Sequence, residues 1–356
     1  MKAGIVTFHN GSNYGAALQA YALQEKVKEM YDEVYIINYE NEFIMKGLKK
    51  IRWGMSLHHV YYSIMDLLNY RNNARKIRRF HDFFHQYYKL TKLLNKQELQ
   101  RQDWRWDLCI SGSDQIWNPL LNQGLDEIYF GCFSGVKRKI SYASSTGAYQ
   151  FDKPLWNEEF KNYLASYEKV SVRENAERIK KKTGLEVAEV LDPTLLLSKD
   201  DWKEKLNIKD ENHRYVLVYA MNSATALLEY ARKIARQLKM EVWVIRNYFK
   251  IQKGVRCISD AGPIEFVELF YHASYVVTNS FHGTAFSVNF RKQFSSIYNY
   301  KSPERAKRLL ENCGLEKYLI KDLSNPVAHE ITAQEFDASQ EWLEKGRREA
   351  EAFLRV

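Results

Sequence analysis

The stretch GIVTFHNGSNYGAALQAYALQEKVKEMYDEVYIIN, residues 4–38, decides the fold class. It opens on GIVTF, an apolar run of strand length. A polar loop follows at 9–14, after which Leu18, Tyr21, Ala22, Leu23, Val27 and Met30 recur at helical spacing. VYIIN, 34–38, is apolar again and predicts a second strand. Strand, loop, helix and strand in that order begin a parallel α/β unit, whose ligands lie outside the carboxyl ends of the strands.

The same grammar continues outward. Residues 57–90 carry a long helical pattern, and strand-length runs return as DLCIS (107–111), KISYAS (139–144) and KVSVR (169–173). The last leads into ENAERIKKKTG, which Gly184 is suited to terminate. A second series follows in VAEVL (187–191), YVLVY (215–219), VWVI (242–245), YVVT (275–278) and FSSIY (294–298), with helical stretches at 224–239 and 264–272. A chain of 356 residues exceeds what one core usually organises. The expectation is an α/β protein of two Rossmann-like domains, 1–184 and 185–331. The first carries a basic helical insertion at 46–101, and a C-terminal helix at 332–356 packs back on it.

Net charge is +9, and it is concentrated: residues 46–101 hold 13 Lys or Arg against 3 Asp or Glu. A helix there with Arg75, Lys76, Arg78, Arg79, Phe80, Phe83 and Phe84 has two readings, a solvated face or a surface resting on anionic lipid. No nucleic-acid motif accompanies the basicity, so a nucleic-acid partner is not expected. The opening MKAGIVTFHN has neither the core nor the cleavage site of a leader, and no later run reaches membrane-spanning length. A soluble cytoplasmic protein is expected, with peripheral contact at the inner membrane face as the lipid reading of 46–101. Cys109, Cys132, Cys257 and Cys313 stand too far apart for zinc or disulfide spacing, and no cluster predicts a metal. The 24 Tyr, 18 Phe and 8 Trp exceed what a core requires and suit contact with sugars or lipid headgroups.

Three segments carry chemistry. TNSFHGTAFS, 278–287, reads as a strand-to-helix turn, where backbone N–H groups make a ready anion site. His282 could transfer a proton there, with an ordinary pKa of about 6.5, and Gly283 would admit a ligand close to the backbone. The plainer reading has Ser280 capping the helix and His282 in a buried hydrogen bond. In SVRENAER, Arg173 either forks onto a carboxylate or phosphate or pairs with Glu177 on the surface. In ISGSDQIWNP, 110–119, Asp114, Gln115, Trp117 and Asn118 suit sugar hydroxyls and a sugar ring, or form an ordinary Asx turn. The loop HNGSNYGAA offers Asn10, Ser12, Asn13 and Gly15 to a polar ligand. It lacks GxGxxG, and no GxxxxGK[ST] occurs, which argues against dehydrogenases and nucleotide hydrolases.

Taken in order, FHNGSNYGAALQAYAL, ISGSDQIWNP, KISYASSTG, VSVRENAER, LDPTLLL, VTNSFHGTAFS and SPERAKRLLENCGL resemble the polysaccharide pyruvyl transferases over most of the chain. The resemblance implies two domains facing a cleft, similar to the GT-B glycosyltransferase fold, with the donor in the carboxyl-terminal half. It implies transfer of the enolpyruvyl group of phosphoenolpyruvate onto two hydroxyls of a sugar in a lipid-linked precursor of a bacterial capsule or exopolysaccharide. The product is a cyclic ketal, and no cofactor is needed. His282 would be the general acid, and Arg173 would hold the donor's carboxylate or phosphate. Some members have an arginine just before the histidine, where this chain has Ser280 and Phe281. Arg305 and Arg246 are the substitutes. Asn13, Asp114, Gln115 and Trp117 would face the acceptor. The competing readings are a nucleotide-sugar-dependent GT-B glycosyltransferase, with Glu304 on the ribose, and a non-enzymatic scaffold.

Overall fold

A computed structural model describes residues 1–39, 41, 69–101, 103–147, 149, 151–221, 224–246, 252–300 and 303–356. Strands and helices alternate: β1 (Lys2–Val6), α1 (Tyr14–Lys28), β2 (Glu33–Ile36), α2 (Tyr70–Tyr87), α3 (Lys96–Arg101), β3 (Trp106–Ser111), α4 (Pro119–Asn122), β4 (Val136–Ser141), α5 (Pro154–Ala165), β5 (Ser171–Val172), α6 (Ala176–Thr183) and β6 (Ala188–Glu189). Then follow α7 (Lys199–Lys205), β7 (Tyr215–Tyr219), α8 (Ala224–Leu238), β8 (Glu241–Ile245), β9 (Val255–Ile258), α9 (Pro263–His272), β10 (Tyr275–Thr278), α10 (Phe281–Asn289), β11 (Gln293–Ile297), α11 (Pro303–Asn312), β12 (Leu319–Ile320) and α12 (Ala333–Leu354). They form two compact units. Among the described residues, 1–41, 84–196 and 346–356 belong to the first, and 69–83 and 197–345 to the second.

The first unit holds the parallel sheet β2-β1-β3-β4, extended by isolated bridges to β5, which pairs with β6. Strand order reverses between β1 and β3, and a crevice opens at the carboxyl ends of strands at such a switch point. α1 is buried along most of its length, and its two buried glutamines are hydrogen-bonded rather than stranded. Gln19 donates to the carbonyls of Phe8 and Ala16, and Gln24 exchanges bonds with the backbone of Tyr87 and Lys89. Asn13 starts the helix by accepting from Gly15 and Ala16 N–H at 3.0 and 3.3 Å.

The second unit is a six-stranded, all-parallel sheet in the order β12-β11-β10-β7-β8-β9. Read from β9, this is the 3-2-1-4-5-6 order of a Rossmann sheet, with its switch point between β7 and β10. Both units are therefore parallel α/β.

Two boundaries differ from the sequence reading. Residues 187–191 belong to the first unit, because Ser171 and Val172 pair with Ala188 and Glu189 and close its sheet. Of the basic segment, residues 69–83 belong to the second unit and 84–101 to the first; in the second, Arg75 and Arg79 reach Asp260 at 2.7 and 3.5 Å and Arg79 reaches Glu265 at 2.8 Å. Phe80 and Phe83 are buried, so the lipid-facing reading loses both rings and two of its cations to internal packing. Lys76 is buried too. Residues 46–68 of the basic stretch lie outside the described residues. The last helix ends in the first unit, where Tyr31 Oη donates to the Leu354 carbonyl at 2.8 Å and Gly346 packs on Leu191.

Trp117 is a core residue and not a platform for a sugar. It is 0% exposed, stacks on Phe130 with centroids 5.3 Å apart, meets Phe160 edge-on at 5.6 Å, and donates its indole N–H to the Tyr129 carbonyl. Aromatic stacking of this kind adds to the area that each ring buries. Trp117→Ala should destabilise the protein by about 3–5 kcal/mol in urea unfolding. A ligand-binding tryptophan would instead weaken acceptor binding with stability unchanged.

Candidate functional site

The turn after β10 is built by one hydroxyl. Thr278 Oγ1 donates to the Tyr219 carbonyl on β7 at 2.7 Å and accepts from Ser280 N–H at 3.1 Å. Gly283, in the first turn of α10, packs directly on it, and a Cβ there would lie 2.2 Å from Thr278 Oγ1. Only glycine lets the helix begin that close to the strand. Asn279 Oδ1 accepts from Met221 N–H at 2.9 Å, tying the β7 and β10 loops together at the switch point. Asn299 Nδ2 donates to the Asn279 carbonyl at 3.2 Å.

Ser280 stands at the N-cap position of α10 but makes no side-chain cap bond. Burial pushes the Tyr219 hydroxyl up to about 12, and its hydrogen bond to Ser280 offsets this in part. Phe281 and His282 are partly exposed, with rings 5.2 Å apart and edge to face. Arg246 follows β8 on the same edge, its own N–H bonded to the Ile258 carbonyl at 2.9 Å. Its Nε is buried with no hydrogen-bond partner among the described residues. β7 alone lies between β8 and β10, so the backbones of Arg246 and of the His282 turn are about 10 Å apart. Arg305 lies in the first turn of α11, which follows β11 at that edge. Arg246, Ser280, Phe281, His282, Gly283 and Arg305 are thus gathered at one edge of one sheet. Glu304, also in that first turn, is exposed.

Arg173 is elsewhere, and its surroundings overturn the surface pairing with Glu177. Its side chain is 3% exposed, with Nε 2.9 Å from Glu174 and Nη1 2.8 Å from Asp192, and it does not pair with Glu177 on the surface. Two of its nitrogens are thus held by buried carboxylates of the chain itself. Burial alone would lower its pKa, but Glu174, Asp192 and Asp114 outweigh burial and raise it. Asp192 also accepts from Thr194 N–H and Oγ1 at 2.9 and 2.7 Å and from Ser113 at 3.4 Å, while Ser145 donates to Glu174.

This network backs the carboxyl edge of the first sheet, where the remaining candidates sit. Asp114 takes a left-handed conformation with φ 71° and is largely buried, its Oδ1 accepting from Gln115 N–H at 2.8 Å. Gln115 Oε1 accepts from Asn118 at 3.0 Å and lies where a Cβ on Gly147 would sit. Asn13 is exposed, with its oxygen spent on the α1 cap. His9, also at this edge, is buried between the Thr7 carbonyl and Asn38 Oδ1, and burial pushes its pKa down. Glu174, Asp192, Ser145 and Gly147 were not singled out from sequence. The DPT signature at 192–194 was the available signal, an aspartate capping the turn that follows it.

The model of the family described as polysaccharide pyruvyl transferase matches residues 13–302. The chain belongs to that enzyme family. No curated protein sequence matches it. Among solved structures, the chain is similar to UDP-GlcNAc 2-epimerase from Neisseria meningitidis bound to UDP-GlcNAc, at 9% identity and TM-score 0.48, covering 100% of this chain and 94% of that one. It is also similar to the E. coli ADP-heptose LPS heptosyltransferase II, at 10% identity and TM-score 0.36, covering 97% and 99%. Arabidopsis thaliana UGT89C1 complexed with quercetin is similar at 10% identity and TM-score 0.44, covering 99% and 92%. Among the described residues of this pyruvyl transferase family member, no group of three or more His, Cys, Asp or Glu side chains is placed to hold a metal. No described helix is long and apolar enough to cross a membrane.

Two substitutions test the two edges. Gly283→Ala forces a Cβ into the Thr278 hydroxyl and should cost about 1–3 kcal/mol in thermal or urea unfolding. Asp192→Asn removes one partner of a buried cation and should cost about 3 kcal/mol, read as a lower urea midpoint at constant slope.

Proposed function

We propose that this protein transfers the enolpyruvyl group of phosphoenolpyruvate onto two hydroxyls of one sugar in a lipid-linked polysaccharide precursor, at the cytoplasmic face of the membrane. The observation that carries the reading is the placement of His282 at the switch point of a Rossmann-order sheet, with Arg246 and Arg305 on the same edge. A parallel sheet presents its ligand site there.

His282 donates a proton to the methylene carbon of the donor, leaving an oxocarbenium-like centre at the phosphate-bearing carbon. One sugar hydroxyl adds to that carbon, and its proton returns to the protein. The second hydroxyl then displaces phosphate, and the remaining proton leaves with it. Protons and charge balance without a cofactor. Arg246 and Arg305 bind the trianionic donor, replacing the arginine that some members carry where this chain has Ser280 and Phe281. A buried Nε on Arg246 favours a planar anion held by a fork of N–H groups. Backbone N–H groups at the start of α10 add to the field at the same point. On the first unit, Asn13, Asp114 and Gln115 serve the acceptor.

The test incubates the protein with phosphoenolpyruvate, or with nucleotide sugars, and several lipid-linked saccharides, and follows phosphate release and acceptor mass. His282→Ala should lower kcat by about 10²–10⁴-fold, the range for loss of a general acid, with its melting temperature kept. Arg246→Ala should raise KM for phosphoenolpyruvate. Absence of phosphate release with every acceptor, or full activity in His282→Ala, would refute the reading.

A further inference from the structure

Three lysines of the second unit converge on one ring at the edge of the sheet opposite His282. Lys199, Lys203 and Lys292 place their ammonium groups 5.0, 6.0 and 5.8 Å from the centre of Tyr271. Lys292 immediately precedes β11, and Tyr271 ends α9 before β10, so both stand at the amino ends of strands whose carboxyl ends carry the His282 turn. Strands of this length separate the two edges by roughly 15 Å.

The charges do not balance. Asp210 accounts for one ammonium, at 2.6 Å from Lys203, and its other oxygen accepts from the Tyr271 hydroxyl at 3.4 Å. Lys292 donates to the Tyr271 backbone carbonyl, which is neutral. Lys199 makes no ion pair among the described residues. Two positive charges therefore remain uncompensated in a half-buried place, where like charges repel more strongly than in water. Burial, and then Lys199, push the Lys292 amine down to about 8. An unfilled demand for negative charge is what such an arrangement expresses. Lysine is a compact cation with three divergent donors, suited to an anion with several oxygens.

We infer that Lys199, Lys292 and Lys203 form a second anion site, apart from the donor edge, that takes a phosphate-class dianion. Inorganic phosphate and a phosphate monoester share this chemistry. The site does not depend on the pyruvyl-transfer reading, and its test does not read activity.

Melting temperature is measured against inorganic phosphate, and separately against glucose 1-phosphate, with chloride at matched ionic strength as the reference. Wild type and His282→Ala should show the same saturable rise. Lys199→Gln and Lys292→Gln should need at least tenfold more phosphate for half the effect. A better response to one compound than the other identifies the source of the phosphate group. Melting without phosphate shows whether each variant is folded. If Lys292→Gln alone fails to fold, Lys199→Gln decides, because among the described residues the Lys199 ammonium makes no hydrogen bond or ion pair. As a second measurement, acetylation at pH 8 followed by mass spectrometry should find Lys292 among the fastest lysines, slowed by phosphate. Responses in the lysine variants equal to wild type, or loss of the response in His282→Ala, would overturn the inference.

Discussion

The hydroxyl of Thr278 fixes more of this protein's candidate chemistry than its size suggests. It donates to the carbonyl of Tyr219 on β7, accepts from Ser280 N–H, and forms the surface against which Gly283 packs. Three segments are thereby held together: the end of one central strand, the turn from its neighbour, and the first turn of α10. The direction in which His282 leaves the chain follows from that contact. A serine would keep the hydrogen bonds but lose the methyl that closes the packing, and a valine would leave two buried backbone groups without partners.

The first unit secures its edge by other means. There the loops after β3, β4, β5 and β6 meet around a buried guanidinium, with carboxylates from Glu174 and Asp192 and hydroxyls from Ser113, Ser145 and Thr194. Such a cluster gains little net stability over an apolar core of the same volume, since each charge pays for its desolvation. What it gives is position, because every member is directional and each loop is tied at more than one point. Asp114 and Gln115 are held in place by this scaffold and by the glycine at 147.

Parallel α/β architecture was legible in the sequence because alternating apolar runs and helical repeats are local signals, and the strand-to-helix turn that carries His282 was legible for the same reason. Trp117 was misread: a tryptophan beside Asp, Gln and Asn has the composition of a sugar site, and composition does not tell which way a ring points. The partners of Arg173 were not legible, because Asp192 is distant in sequence and pairing across that distance leaves no periodic trace. The domain boundary at Gly184 followed a real helix stop, but β6 is two residues long and is held by pairing with β5 rather than by any pattern of its own. The basic segment was read as one solvated or lipid-facing element, whereas burial of Phe80 and Phe83 and the pairing of Arg75 and Arg79 give its described part an internal face.

The first unit is discontinuous in the chain, and residues 346–356, its last contribution, are synthesised after the whole of the second unit. Domains generally fold in order as they leave the ribosome. Here the first unit has all its strands by Glu189, yet Tyr31 lacks its bond to Leu354 and Leu191 lacks its contact with Gly346 until the last residues are made. The first unit is thus finished last although it is begun first, and a nascent chain arrested before residue 346 would carry the strands of both sheets but not the helical turns that complete the first unit.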